Sequence, residues 1–237
     1  YGAPKLAGSH ECHGAPLGAE EFAAAKAALG FGGTEPYHVP EELRNKLSAR
    51  IRKLAKDAAA WDRQFQAALE ADPAAAARVS QLLHREVPEN LLAELKAAAP
   101  VQKPDATRSS SGVVLQRAAA LVPSLIGGSA DLAPSTKTLI KGGGDFAAAT
   151  PAGRNLHFGV RELGMSMIAN GMALHGTALP YVATFLVFSD YMKPGIRLAA
   201  IQKLPVIYVF THDSFFVGED GLTHEPVEQI VMLRTVP

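Results

Sequence analysis

YVATFLVFSDYMKPGIRLAAIQKLPVIYVFTHD, residues Tyr181 to Asp213, holds two short apolar runs separated by one helical stretch. Tyr181 to Thr184 and Val206 to Phe210 are rich in β-branched and aromatic residues and carry no charge, as strands buried on both faces do. Between them, Phe188 to Gln202 is long enough to cross over a sheet as a helix. A strand, a helix and a second strand in that order make a βαβ unit, whose strands run parallel.

The alternation continues upstream, with strands expected at Ser124 to Ile126 and Asn155 to Phe158 and helices at Val113 to Leu121 and Val160 to His175. The fold class is therefore α/β, a mostly parallel sheet with helices on both faces. A further helix is expected to begin near Pro226. From Gly164 to Ser189 there is no Asp, Glu, Lys or Arg. Asn170, His175, Gly176 and Pro180 interrupt this stretch, so it reads as a buried helix and a buried strand rather than a membrane span.

Ahead of the polar segment TRSSSG (Thr107 to Gly112) the style is different. Residues 41–99 are rich in Ala, Leu, Arg, Lys and Glu at helical spacing, broken where Asp72-Pro73 and Val87-Pro88 resist helix continuation, and form a helical connector. Residues 1–40 are rich in Gly, Pro and His, carry one short helix from about Ala19 to Leu29, and read as the tail of a preceding domain with a linker. Residues 100–237 form the α/β domain.

Composition limits the partners. The chain has 237 residues, with 23 Lys and Arg balancing 23 Asp and Glu, so no global field draws it to nucleic acid or to a membrane. Any anionic partner needs a local pocket. Cys12 is the only cysteine, which favours a reducing compartment, with the cytoplasm as default and an organelle such as a plastid as the alternative. The chain opens on Tyr1 without a secretory pattern and reads as cut from something longer.

In an open α/β sheet, ligands bind at the carboxyl ends of the strands. Directly after the last strand comes THDSFFVGEDGLTHEP, Thr211 to Pro226, with His212, Asp213, Glu219, Asp220, His224 and Glu225 around two glycines. GGSADLAPST, Gly127 to Thr136, has paired glycines that permit close backbone approach and polar ends at Ser129, Asp131, Ser135 and Thr136. It also reads as a turn with a helix cap at Ser135. HFGVRELGM places Glu162 in the first turn of a helix, where a carboxylate also simply complements the dipole. In TFLVFSDY, Phe185, Phe188 and Tyr191 are spaced by three and share a helical face, more often core than pocket. HECHG invites a zinc reading through His10, Cys12 and His13 but lacks a second ligand pair, and no metal site is assigned.

Taken in order, HGAPLGAEE (His13 to Glu21), the connector with Trp61, ATR (Ala106 to Arg108), GGSADLAPS, GVRE (Gly159 to Glu162), TFLVFSDY and THDSFFVGEDGLTHEP resemble the transketolase family. The resemblance covers nearly the whole chain. It implies the end of a diphosphate-binding domain, the connector, and most of a pyrimidine-binding domain. It also implies transfer of a two-carbon ketol group from a ketose phosphate to an aldose phosphate with thiamine diphosphate, in the pentose phosphate pathway or Calvin cycle. A magnesium or calcium ion would take its ligands from outside this chain, and the active protein would be a homodimer.

The resemblance assigns roles to individual residues. Glu162 would bond the cofactor's pyrimidine ring and favour the imino form that deprotonates the thiazolium carbon. Phe185, Phe188 and Tyr191 would wall the pyrimidine, with Asp131 close to the cofactor. Arg108, Ser135 and His212 would hold the substrate phosphate, Asp220 a sugar hydroxyl, and His13 and His224 the reacting carbons. Leu163, Phe215-Phe216 and Leu222 depart from the common pattern, which bears on sugar preference. A GDG-type metal and diphosphate segment, the family's later phosphate-binding arginine and its C-terminal domain are missing from the sequence. Related thiamine enzymes, a deoxyxylulose-phosphate synthase or a dehydrogenase beta subunit, share the Glu and the fold, but Arg108, Ser135 and GEDGLTHEP favour transketolase. A non-catalytic pyrimidine-domain module is the alternative outside catalysis.

Overall fold

The computed structural model describes residues 2–32, 35–99, 105–214 and 216–237. They divide into two compact units, Tyr1–Ala68 and Leu69–Pro237.

The first unit contains a short 3-10 turn at His10–Cys12, helix α1 (Gly18–Ala28) and most of helix α2 (Glu41–Ala71). Helix α1 ends as expected at Gly30, whose φ of 78° lets the chain leave the helix without a Cβ penalty. Along α2, Leu43, Leu47, Ile51, Leu54 and Trp61 are exposed, and Trp61 stacks on Phe65 with ring centroids 4.8 Å apart.

The second unit continues with α3 (Pro73–His84) and α4 (Leu91–Ala98). Asp72 caps α3, its side chain accepting from the Ala75 amide, and Pro73 sits where a missing amide costs nothing. Then follow α5 (Thr107–Leu121), β1 (Leu125–Ser129), the single-turn α6 (Ala133–Thr136), β2 (Asn155–His157) and α7 (Glu162–His175). The unit closes with β3 (Leu179–Phe185), a 3-10 turn at Leu186–Phe188, α8 (Ser189–Ile201), β4 (Ile207–Thr211) and α9 (Gln229–Arg234).

The four strands form one sheet in the order β2-β1-β3-β4, with parallel pairing throughout. Tyr181 and Val182, consecutive on β3, point to opposite faces and anchor different cores. Val182 joins Met165 and Ala169 of α7 and Met192 of α8. Tyr181 joins Ala119, Val122, Leu125 and Ile140, with Leu91 of α4 and Leu115 of α5 packed against them. Both faces are thus covered, as the sequence pattern predicts.

Three local expectations change. Helix α5 begins at Thr107, so the polar TRSSSG segment is its first turns rather than a lead-in. Gly112 is tolerated there because a Cβ would meet the Lys137 carbonyl oxygen at 2.9 Å, and close packing decides the residue. Helix α7 is not buried all round, since Leu163, Met167, Ile168 and Leu174 are exposed. Gly127 and Gly128 lie within β1, and their free space is taken by neighbouring strands. A Cβ at Gly127 would stand 1.9 Å from the Tyr181 carbonyl oxygen, and one at Gly128 1.8 Å from that of Leu156.

Arg154 braces the unit from below. Its guanidinium donates to the carbonyls of Ala119, Val122 and Leu125 at 2.8 to 3.0 Å, closing the end of α5 onto the start of β1. Burial lowers its pKa from the ordinary arginine value. Among the described residues no helix is long and apolar enough to cross a membrane.

Candidate functional site

At the carboxyl ends of β3 and β4 the rings form one continuous surface. Phe185 stacks on Phe188 with centroids 5.9 Å apart, and Phe188 on Tyr191 at 6.2 Å. These three residues leave β3, pass through the 3-10 turn and enter α8, so they are a shelf over a strand end and not one stripe of a regular helix. Tyr191 is 63% exposed, which leaves this end of the shelf open.

Two histidines close the other end. His212 lies against Phe185 with centroids 3.7 Å apart, and His224 meets Phe188 edge-on at 5.2 Å and Phe185 at 6.2 Å. Each histidine is held by the threonine before it. Thr211 Oγ1 and His212 Nδ1 are 2.9 Å apart, and Thr223 Oγ1 and His224 Nδ1 are 2.8 Å apart. In both, Nδ1 is engaged and Nε2 has no hydrogen-bond partner among the described residues. The Thr-His dipeptide occurs twice in the Thr211 to Pro226 stretch, a signal that spacing arguments pass over.

Arg108, in the first turn of α5, faces the end of β4 across a cleft of about 360 Å³ lined also by Thr107, Ser111, His212, Asp213 and Ser214. Among the described residues no hydrogen bond or ion pair engages its guanidinium. Desolvation first, then the Arg108 charge, hold the His212 pKa below the ordinary histidine value. His224 acts in the same sense, while Asp220 and Asp213 oppose it. His212 is therefore neutral near pH 7, and Asp220 and His224 stand close enough to be felt there. A larger cleft of about 540 Å³ between α5 and the segment after α6, lined by Val113, Gln116, Lys137 and Leu139, holds none of the expected residues. The smaller cleft is the better candidate, because it joins a cation and a histidine at a strand end.

His212 and Asp131 adopt φ of 52° and 61°, a left-handed backbone that costs on the order of 1 kcal/mol or more for such residues. Asp131 is exposed in the turn after β1, which Ser129 Oγ stabilises by accepting the Leu132 amide at 2.9 Å. Ser135 falls inside α6 and not at its cap, because that single turn starts two residues earlier, at Ala133. Among the described residues no hydrogen bond or ring contact ties Asp131 or Ser135 to the histidine pair. Glu162 is the first residue of α7, 8% exposed, and its carboxylate has no hydrogen-bond partner among the described residues. His13 belongs to the first unit.

The arrangement is an aromatic shelf with a carboxylate, Glu162, at the start of the adjoining helix and an arginine-histidine cleft at the next strand end. Among the described residues, no group of three or more His, Cys, Asp or Glu side chains could hold a metal ion. Residues 103–237 match the family model for the transketolase pyrimidine binding domain, and residues 1–88 that for the transketolase thiamine diphosphate binding domain. The chain belongs to the transketolase family.

Over its whole length it is 49% identical to the transketolase of Geobacillus stearothermophilus, of which it covers 36%, and 43% identical to the chloroplastic transketolase-1 of Arabidopsis thaliana, of which it covers 32%. Among solved structures, transketolase from Leishmania mexicana superposes with a TM-score of 0.83 at 38% identity over 94% of this chain and 33% of that one. Transketolase from Pichia stipitis in complex with sedoheptulose-7-phosphate gives 0.80 at 36% identity over 94% of this chain and 34% of that one. The chain thus spans about a third of the length of the transketolases it matches. The alternation of strands and helices and the pyrimidine-domain reading both accord with these matches.

Proposed function

We propose that this chain supplies the pyrimidine half of a transketolase active site, within a protein that moves a two-carbon ketol group between sugar phosphates. The observation that carries the reading is the stacked series Phe185, Phe188 and Tyr191 with His212 and His224 at its end. An apolar wall suits an aminopyrimidine face, and polar rings at its edge suit a sugar. Thiamine diphosphate, when bound, supplies the carbanion chemistry of ketol transfer.

This chain's residues bind and orient around that group. Phe185, Phe188 and Tyr191 would wall the pyrimidine, and the Glu162 carboxylate, at the start of α7 and without a hydrogen-bond partner among the described residues, would bond a ring nitrogen. Asp131 lies toward the cofactor. Arg108 grips the substrate phosphate with its planar fork, and neutral His212 and Ser135 add single hydrogen bonds. Asp220 takes a sugar hydroxyl and His224 faces the reacting carbons, while the family resemblance alone gives His13 a like role.

The diphosphate and a magnesium or calcium ion take their ligands from parts of the parent outside this chain, so these 237 residues alone bind the cofactor weakly or not at all. The exposed Leu163, Met167, Ile168 and Leu174 of α7 support a homodimer built across that helix. Its place is the pentose phosphate pathway or the Calvin cycle, in the cytoplasm or a plastid. In the full-length protein, Glu162→Ala should lower turnover at saturating cofactor by about a hundredfold or more. Near-normal turnover would refute the assignment.

A further inference from the structure

Three elements that carry the proposed site meet at one buried side chain. Glu162, Met165, Ser166, Ala169, Asn170 and Ala173 are the buried residues of α7 and form one face. Asn170, on that face, is 5% exposed. Its Nδ2 donates to the Gly195 carbonyl of α8 at 2.9 Å, and its Oδ1 accepts from the Tyr208 hydroxyl of β4 at 3.4 Å. Burial pushes the Tyr208 pKa up to about 12, so the phenol keeps its proton for this bond.

One turn closer to Glu162 the two helices nearly touch. A Cβ on Gly195 would lie 2.0 Å from Ser166 Oγ, and that hydroxyl is turned back to the Leu163 carbonyl at 2.8 Å. Asn170 therefore links the helix that begins with Glu162, the helix that carries Tyr191 of the aromatic shelf, and the strand that ends just before His212. A buried amide bonded on both sides has little freedom to slide, since any shift strands a donor or an acceptor away from water.

We propose that Asn170 is a positioning residue that fixes the Glu162 carboxylate relative to the Phe185, Phe188 and Tyr191 shelf. The inference rests on the role proposed above for Glu162. Misplacing a group by about 1 Å can cost up to about a hundredfold in rate, so the link should be visible in proton transfer even though Asn170 touches no ligand.

The test uses the full-length protein loaded with thiamine diphosphate and reads deuterium exchange at the thiazolium carbon, calorimetric cofactor affinity and the sugar-phosphate KM. Asn170→Leu, folded by circular dichroism, should slow exchange by about tenfold or more and weaken cofactor binding, while the sugar-phosphate KM moves less than about twofold. Adding Tyr208→Phe removes the stranded phenol and should restore thermal stability without restoring exchange. Wild-type exchange and affinity in folded Asn170→Leu, or full recovery of exchange in the double variant, overturns the inference. Failure of both variants to fold makes Asn170 a scaffold residue and also overturns it. Glu162→Ala runs alongside: if it exchanges like wild type, the role of Glu162 falls and this inference falls with it. Slow exchange in Glu162→Ala beside normal exchange in Asn170→Leu removes the Asn170 link alone.

Discussion

The imidazole of His212 lies on the ring of Phe185, centroids 3.7 Å apart and planes tilted by 33°. One residue ends β3 and the other follows β4, so the contact forms only because those strands pair in register, with Phe185 opposite Thr211. It joins the aromatic shelf to the cleft that holds Arg108.

The depressed pKa of His212 has a consequence for stability. The folded protein takes up this proton at lower pH than the unfolded chain, whose histidine titrates near about 6.5. Stability from this site is present above that value and is lost as pH falls through the lower folded value. The fall in melting temperature between pH 7 and pH 5 should be shallower in His212→Gln than in wild type. A proton NMR titration of Arg108→Ala should show the His212 midpoint moving up, because a repelling charge is gone.

Among the described residues Arg108 has no ion pair at the cleft, and under the proposed function its charge would meet the substrate phosphate. In the full-length protein Arg108→Ala should raise KM for phosphorylated sugars about tenfold or more. Unphosphorylated acceptors should change little, and steady-state kinetics on both substrate types would expose an equal effect.

Gly127→Ala places a methyl against the rigid Tyr181 carbonyl. Because backbone in a central strand cannot give way, the substitution should destabilise by about 3 kcal/mol or more. Urea unfolding of the full-length protein measures it.

Arg154→Met keeps bulk but removes the donors to the Ala119, Val122 and Leu125 carbonyls. The Val122 carbonyl keeps the Leu125 amide, so at about 1 to 3 kcal/mol for a buried group left unpaired a loss of about 2 kcal/mol is expected. Thermal unfolding would reveal it, with no change in sugar-phosphate KM at temperatures where the variant is folded.

Much was legible in the residues themselves. Charge-free β-branched runs between amphipathic stretches specify parallel strands and crossover helices, because burial on both faces leaves no room for charge. Motif order pointed to the family, and Glu162 fell at a helix start as read. Arg154 and Asn170 were passed over, since each acts through partners 25 or more residues away and no local spacing marks them.

The paired glycines of β1 show the limit from the other side. As letters they allow close approach to a phosphate or to a strand, and the strands occupy that space. Local periodicity determined which segments are strands and helices, and residue chemistry determined which side chains could hold an anion or a ring. Strand order and register decided which of those side chains meet, because contacts such as Phe185 with His212 join residues that only the paired sheet brings together.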